Sequence, residues 1–269
     1  VPEGDTVYRA ARLLDRSLSG QLLTASDLRV PRHATADLAG GEVVETVSRG
    51  KHLLTRVSGP GPGERWTLHT HLKMEGAWRV YSPGQPWRRS AHQARVVLRT
   101  DRTVAVGFSL GVVDLVETDR EEELVGHLGP DLLGPDWDED EALRRLLADP
   151  GQPLVSALLD QRNLAGIGNM YAAELCFVSG MHPRTPVGEV TALPRLVRRA
   201  KQMLELNKER ATQSTTGNLA ERERMWVFRR DRSLCRRCGT PIVVAMTGPA
   251  GRERATYWCP RCQPEPDAG

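Results

Sequence analysis

No run of apolar residues in this 269-residue chain is long enough to cross a bilayer, and no charged-then-apolar leader opens it. A soluble, unexported, cytoplasmic protein with no membrane partner is therefore expected. Lysine is nearly absent, with 4 residues against 33 arginines among the 37 basic ones, a bias that fits a GC-rich coding sequence. Cysteine is scarce too. Cys176 stands alone, and the other four form two pairs, Cys235 with Cys238 and Cys259 with Cys262. Disulfides do not persist in a reducing compartment, so the paired cysteines need another use.

Net charge is also small, +3, but it is unevenly spread. Between Glu117 and Asp149 there are 12 acidic and 3 basic residues; between Arg184 and Cys262 there are 17 basic and 7 acidic ones. A basic carboxyl-terminal third suits a polyanionic partner, nucleic acid first, against the plainer alternative of a solvated charged surface. The length allows one large domain or two ordinary ones.

The order of patterns predicts an α+β chain. Residues 5–18 place Val7, Ala10, Ala11, Leu14 and Leu18 on one helical face, with Asp5 as the expected cap. From about 21 to 116, short apolar runs are split by Gly/Pro turns: EVVETVSRG, KHLLTRV, WTLHTHL, AWRVY, ARVVLRT, TVAVGF and GVVDLVE. These predict antiparallel strands in a sandwich or barrel. Helical periodicity returns from residue 139, in EDEALRRLLAD, PLVSALLDQ, NMYAAELCFVSG and LPRLVRRAKQMLELNKERAT. We expect a β-sandwich domain over 1–120, an acidic connector over 121–138, a helical domain over 139–230, a cysteine hairpin over 231–264 and a frayed tail over 265–269.

The four cysteines read C-x2-C-x20-C-x2-C. Tetrahedral zinc takes four soft ligands, and each C-x2-C knuckle supplies two thiolates; free or redox thiols are the weaker reading. The segment between has a strand, a Gly/Pro turn and a second strand, so a zinc-pinned β-hairpin is expected, holding one structural ion. Four cysteine ligands leave no open position for a catalytic water. Arg252 and Arg254 lie near the hairpin turn, where a guanidinium could clamp a phosphate, the alternative being two solvated arginines. Cys176, Trp66, Trp78 and Trp226 read as packing residues.

The stretch LLDQRNLAGIGNMYAAELCFVSGMHP breaks helix from helix at Arg162–Gly168, where Gly166 and Gly168 permit tight or left-handed turns and Asn169 opens the next helix. It closely resembles the helix–two-turns–helix motif of the formamidopyrimidine-DNA glycosylase/endonuclease VIII family. The family's other marks follow in order: PEG at the start, SRGKHLL containing Lys51, HLKMEG, LGPDLL, and RATYWCPRCQ at the end. The likeness spans nearly the whole chain. It implies an N-terminal β-sandwich with a leading helix, then a helical helix–two-turns–helix domain ending in a four-cysteine zinc β-hairpin.

The resemblance further implies a bifunctional DNA glycosylase and abasic-site lyase of base excision repair, a monomer acting on damaged DNA. Its nucleophile would be the α-amine of an N-terminal proline, here Pro2. An α-amino group titrates near about pH 8, so a useful fraction is neutral at pH 7, and a helix N-terminus nearby disfavours the charged form further. Pro2 can attack only if its nitrogen is free, so Val1 is expected to represent a GUG start codon, translated as Met and removed. By the same likeness Glu3 would be the proton donor, Lys51 a proton donor and phosphate contact, and His71, Asn169 and Arg254 phosphate contacts. Met74 would be the wedge that fills the gap left by the extruded nucleotide. A catalytically inactive DNA-damage-binding protein on the same scaffold is the alternative.

Three departures from the family pattern stand out. VGFSLGVVDL replaces the Arg-Arg-Phe-Gly segment that supplies further gap-filling residues, with Leu110 as a partial substitute. The loop after STTG is short, ten residues from Gly217 to Trp226. Both favour the endonuclease VIII branch and oxidised pyrimidines, as does the opening PEGDT. Finally, WVFRRD stands where a Val-Tyr-Gly-Arg linker is usual.

Overall fold

The computed structural model of the chain describes residues 2–59, 61, 63–248, 251 and 253–266. Val1, Arg252 and the last three residues of the expected frayed tail lie outside the described residues. Two compact units are present, Val1–His127 and Leu128–Gly269. The division falls inside the acidic stretch. No helix among the described residues is long and apolar enough to cross a membrane.

The first unit opens with α1 (Gly4–Leu18), whose stripe of Val7, Ala11, Leu14 and Leu18 is fully buried. Its start differs from expectation: Glu3, not Asp5, occupies the cap position, with extended backbone at φ −126°, and its carbonyl accepts the Val7 N–H at 3.0 Å. Asp5 lies within the first turn, where an acid is stabilised by the unpaired N–H groups of the helix start.

Eight antiparallel strands follow: β1 (Ala25–Leu28), β2 (Glu42–Arg49), β3 (His52–Ser58), β4 (Arg65–His71), β5 (Ala77–Tyr81), β6 (Ala94–Arg99), β7 (Val104–Phe108) and β8 (Val112–Glu117). They form two four-stranded sheets, ordered β2-β3-β4-β8 and β1-β6-β7-β5. Leu53, Val57 and Leu68 from one sheet share a core with Val96, Leu98 and Ala105 from the other, closed by Trp78 and the α1 stripe. The far face of the second sheet buries Val97, Val106 and Phe108 under Trp87, so β7 has no solvated face. That explains why VAVGF reads as a continuous apolar run. After β8, a short α2 (Glu122–Val125) ends the unit.

Helix α1 is pinned to β2 at two heights. Gly20 donates to the Val43 carbonyl at 2.8 Å, and the Thr46 N–H donates to Asp15 Oδ1 at 3.0 Å. The helix therefore runs antiparallel to β2. From Asp15 back to Gly4 the helix rises about 16 Å, and from Thr46 to Gly50 the strand advances about 13 Å. The N-terminal end of the helix and the β2–β3 loop thus lie toward the same end of the sheet.

The second unit contains α3 (Glu139–Leu146), α4 (Leu154–Leu159), α5 (Asn169–Val178), α6 (Leu193–Asn207) and the hairpin β9 (Val243–Thr247) and β10 (Arg254–Trp258). Asp138 caps α3 by accepting the Glu141 N–H at 2.9 Å, and the helix carries acids in its first turn and Arg144 and Arg145 in its last. Helix α5 is buried on all sides from Met170 to Phe177, packed against α4, α6 and β10.

Candidate active site

Pro2 and Glu3 directly precede α1, and Glu3, at the cap position, is completely buried. A carboxyl group is costly to remove from water and has no packing value to offset that. Its position at a helix start, beside the chain's second residue, supplies the electrostatic reason.

Lys51 belongs to the two-residue loop that joins β2 to β3, as the Arg49–His52 register requires; the first loop residue, Gly50, has φ 57°. Lys51 therefore projects from a tight hairpin turn, not from a strand edge. Opposite His52 in the ladder stands His71. The Lys73 N–H donates to His71 Nδ1 at 2.9 Å, which leaves Nε2 to carry the proton of the neutral ring. Burial first, and then the positive charges of Lys73 and Lys51, push His71 down to about 4. At neutral pH His71 is thus an uncharged N–H donor.

Behind it lies a pair of imidazoles, one half-buried and one buried, leading to a carboxylate. His52 Nδ1 and His69 Nε2 share a hydrogen bond of 2.8 Å, and His69 Nδ1 faces Asp114 Oδ2 at 3.6 Å. Burial, followed by the neighbouring histidines, pushes His52 down to about 3. Sequence reasoning missed His52, His69 and Asp114, although His69 and His71 alternate on one strand face opposite His52.

Met74 is 64 % exposed at the tip of the turn after β4, as a wedge requires, and this is not a core methionine. Leu110, by contrast, is buried. It is 6 % exposed and packs so closely over Gly107 that a Cβ there would stand 2.4 Å from its Cδ1. The expectation that Leu110 helps to fill a gap is thereby corrected: the sandwich core needs it to cover Gly107.

In the second unit, the break between α4 and α5 is held by side-chain amides. Gln161 Nε2 donates to the Leu159 and Ile167 carbonyls, both at 2.9 Å, while its Oε1 accepts the Gly166 N–H at 3.1 Å. Asn163 donates to the Ala157 carbonyl at 3.0 Å. Only one of the two expected glycines is in the left-handed region: Gly166 has φ 114°, whereas Gly168 is extended at −119°. Asn169, the first residue of α5, donates through Nδ2 to the Ala255 carbonyl at 2.8 Å. That bond ties the helix start to β10 next to Arg254, which is exposed at the strand's first position. Asn169 and Arg254 are therefore brought together.

All four sulfurs of Cys235, Cys238, Cys259 and Cys262 lie within 4.8 Å of one another. Cys238 and Cys259 are 3.4 Å apart, and Cys235 and Cys262 3.9 Å, against about 3.8 Å for the edge of a zinc–thiolate tetrahedron with ~2.3 Å bonds. Burial first, and then hydrogen bonding to the neighbouring sulfurs, pushes Cys262 up to about 12. The cluster could hold a metal ion, and the four-sulfur donor set fits zinc. Cys176 is separate from them and fully buried in α5.

One acid went unnoticed in the sequence. Glu174 is the lone charge in NMYAAELCFV and is completely buried. Its Oε1 accepts the N–H groups of Val227 and Phe228 and its Oε2 that of Trp226, each at 2.8 Å, and Thr215 Oγ1 also donates to Oε2. It thus ties both ends of the short loop to α5. Just beyond, Arg229 occupies the place of the usual linker glycine and keeps a glycine-like φ of 55°. The linker takes a left-handed turn here without a glycine.

Residues 1–129 match the formamidopyrimidine-DNA glycosylase N-terminal domain, and residues 128–218 the formamidopyrimidine-DNA glycosylase H2TH domain. A probable endonuclease 8 2 of Streptomyces coelicolor is 52 % identical, over 99 % of this chain and 95 % of its own. The chain belongs to the formamidopyrimidine-DNA glycosylase/endonuclease VIII family. Within that family, the DNA-(apurinic or apyrimidinic site) lyase Nei2 of Mycolicibacterium smegmatis is 46 % identical over 98 % of this chain and 99 % of its own. Endonuclease 8 of Escherichia coli is 31 % identical over 98 % and 100 %. The crystal structure of Lactococcus lactis formamidopyrimidine DNA glycosylase, bound non-covalently to DNA containing an abasic site, superposes with a TM-score of 0.79 at 22 % identity, over 98 % of this chain and 100 % of that one. At that identity the likeness speaks for the fold.

Proposed function

We propose that the chain is a bifunctional DNA glycosylase and abasic-site lyase of base excision repair, acting as a monomer on oxidised pyrimidines in DNA. One observation carries the chemistry. A completely buried Glu3 stands beside Pro2 at a helix start pinned toward the same sheet end as the Lys51 loop.

In this reading the Pro2 nitrogen attacks C1′ of the damaged nucleotide while Glu3 protonates the sugar ring oxygen, and the base leaves. A secondary amine can form only a charged iminium, which acidifies the C2′ proton. Loss of that proton breaks the C3′–O bond, and a second elimination releases the 5′ phosphate. Lys51 and the neutral N–H donor His71 steady the adjoining phosphates, Asn169 and Arg254 hold others, and Met74 fills the gap left by the extruded nucleotide. Zinc, bound by the four cysteines, would hold the hairpin that carries Arg254. The buried Leu110 and the short loop from Gly217 to Trp226 leave little to cover a large purine, which supports pyrimidine lesions.

An amide nitrogen cannot attack, so this reading requires a free Pro2 nitrogen, which intact mass reads directly. Borohydride should trap a covalent adduct on DNA carrying an abasic site or an oxidised pyrimidine. Pro2→Gly should keep part of that adduct through its primary amine, and Glu3→Gln should lose base excision more than lyase action. Processed protein that traps nothing would leave only the damage-binding alternative.

A further inference from the structure

Lys73 is one of four lysines in the chain, and it stands where a glycine would be cheaper. Its φ is 52°, in the left-handed region that side chains other than those of glycine and asparagine avoid. It is exposed, next to the exposed Met74 at the tip of the same turn. Two contacts hold it. Its N–H is bonded to the His71 ring. Its stem lies across Gly111, where a Cβ would come within 2.2 Å of the Lys73 Cγ. Gly111 in turn donates to the His71 carbonyl at 3.0 Å. The neighbouring turn, with Ser109 at φ 48°, is thus shaped around the lysine stem. Lys73 makes no ion pair among the described residues. Its charge is close enough to depress the protonation of His71, His52 and His69.

A strained backbone, a fixed stem and an unneutralised ammonium are not what a solvated surface lysine shows. An ammonium offers donors only; the N–H donor His71 stands beside it, and the charge of Lys51 also reaches that ring. Such a set fits an anion with several acceptor oxygens. We propose that Lys73 is a phosphate-contacting residue, gripping the DNA backbone next to the gap that Met74 fills, so that a single turn both wedges and holds. The inference rests on the glycosylase reading and adds a contact to it.

The test is binding of the full-length protein to a duplex carrying a tetrahydrofuran abasic analogue, measured across a salt series, with thermal melting alongside. Each phosphate contact contributes about 0.9 to the slope of log K against log salt. Lys73→Gly should therefore flatten the slope by about 0.9, which is about five-fold in affinity at ~0.15 M salt. Its melting temperature should hold or rise, because glycine suits the backbone. Lys73→Asn, which also tolerates the left-handed region, should bind like the glycine variant, Lys73→Arg should keep the wild-type slope, and Met74→Ala should leave it unchanged. An unaltered slope in both Lys73→Gly and Lys73→Asn would overturn the proposal while wild-type protein still binds and traps with borohydride. Wild-type protein that neither binds nor traps would instead sink the glycosylase reading, and this inference with it.

Discussion

His52 and His71 are basic groups that the fold keeps neutral, at about 3 and about 4 against an ordinary 6.5, chiefly through burial. The unfolded chain therefore binds more protons than the folded one below pH 6.5. The stability these rings allow is complete above the unfolded value and is lost as pH falls from about 6.5 toward the folded values. Melting temperatures taken from pH 7 down to pH 4 should fall, and the fall should be shallower in His52→Gln than in wild type. A carboxylate cause would leave the two curves parallel. His71 stays a neutral N–H donor from pH 7 to about pH 5.

Residue types revealed some of this and hid the rest. The cysteine spacing announced its tetrahedron because ligand geometry constrains sequence directly. Lys73 gave no such sign, since its interest lies in a backbone angle and in the bare Gly111 beside it. Leu110 was misjudged because an apolar residue in a turn can cover a core or project from it, and only the packing over Gly107 decides.

At the scale of elements, the strands were legible because each alternates or runs apolar in step with its sheet. The first strand, ASDL, was not, being only four residues, half of them polar, paired only with β6. The loop that closes the second unit was invisible for another reason: its anchor, Glu174, lies about forty residues earlier in the chain. Burial raises the Glu174 carboxyl, against the pull of the donors that surround it. Glu174→Gln keeps the shape but turns an NH2 group toward N–H and O–H donors, leaving at least one buried donor unpaired. The expected cost is about 2–4 kcal/mol, read by chemical denaturation. Hydrogen exchange should quicken first across residues 214–228. A change within about 0.5 kcal/mol would mean that the hydrogen bonds to this acid are dispensable.

For the molecule as a whole, the two units depend on different forces. The first is a hydrophobic sandwich with α1 laid along it. In the second, the hairpin has only a thin core of its own and is held by the cysteine cluster, by Asn169, and by Gln263, which donates to the Met181 carbonyl at 2.8 Å. With zinc in the cluster as proposed, its removal by a chelator should speed hydrogen exchange across residues 235–262 and abolish the proposed DNA binding, while exchange in α1 and β2–β8 stays slow. Simultaneous loss of both regions would show a single cooperative body.

Glu174 also bears on how such a protein can change over generations. Its carboxylate grasps main-chain N–H groups, which every amino acid except proline possesses. Trp226, Val227 and Phe228 can thus be replaced by drift, subject only to local packing, while the path of the thread stays fixed. In this chain the course of the linker is held by one acid buried far upstream, not by the letters of the linker itself.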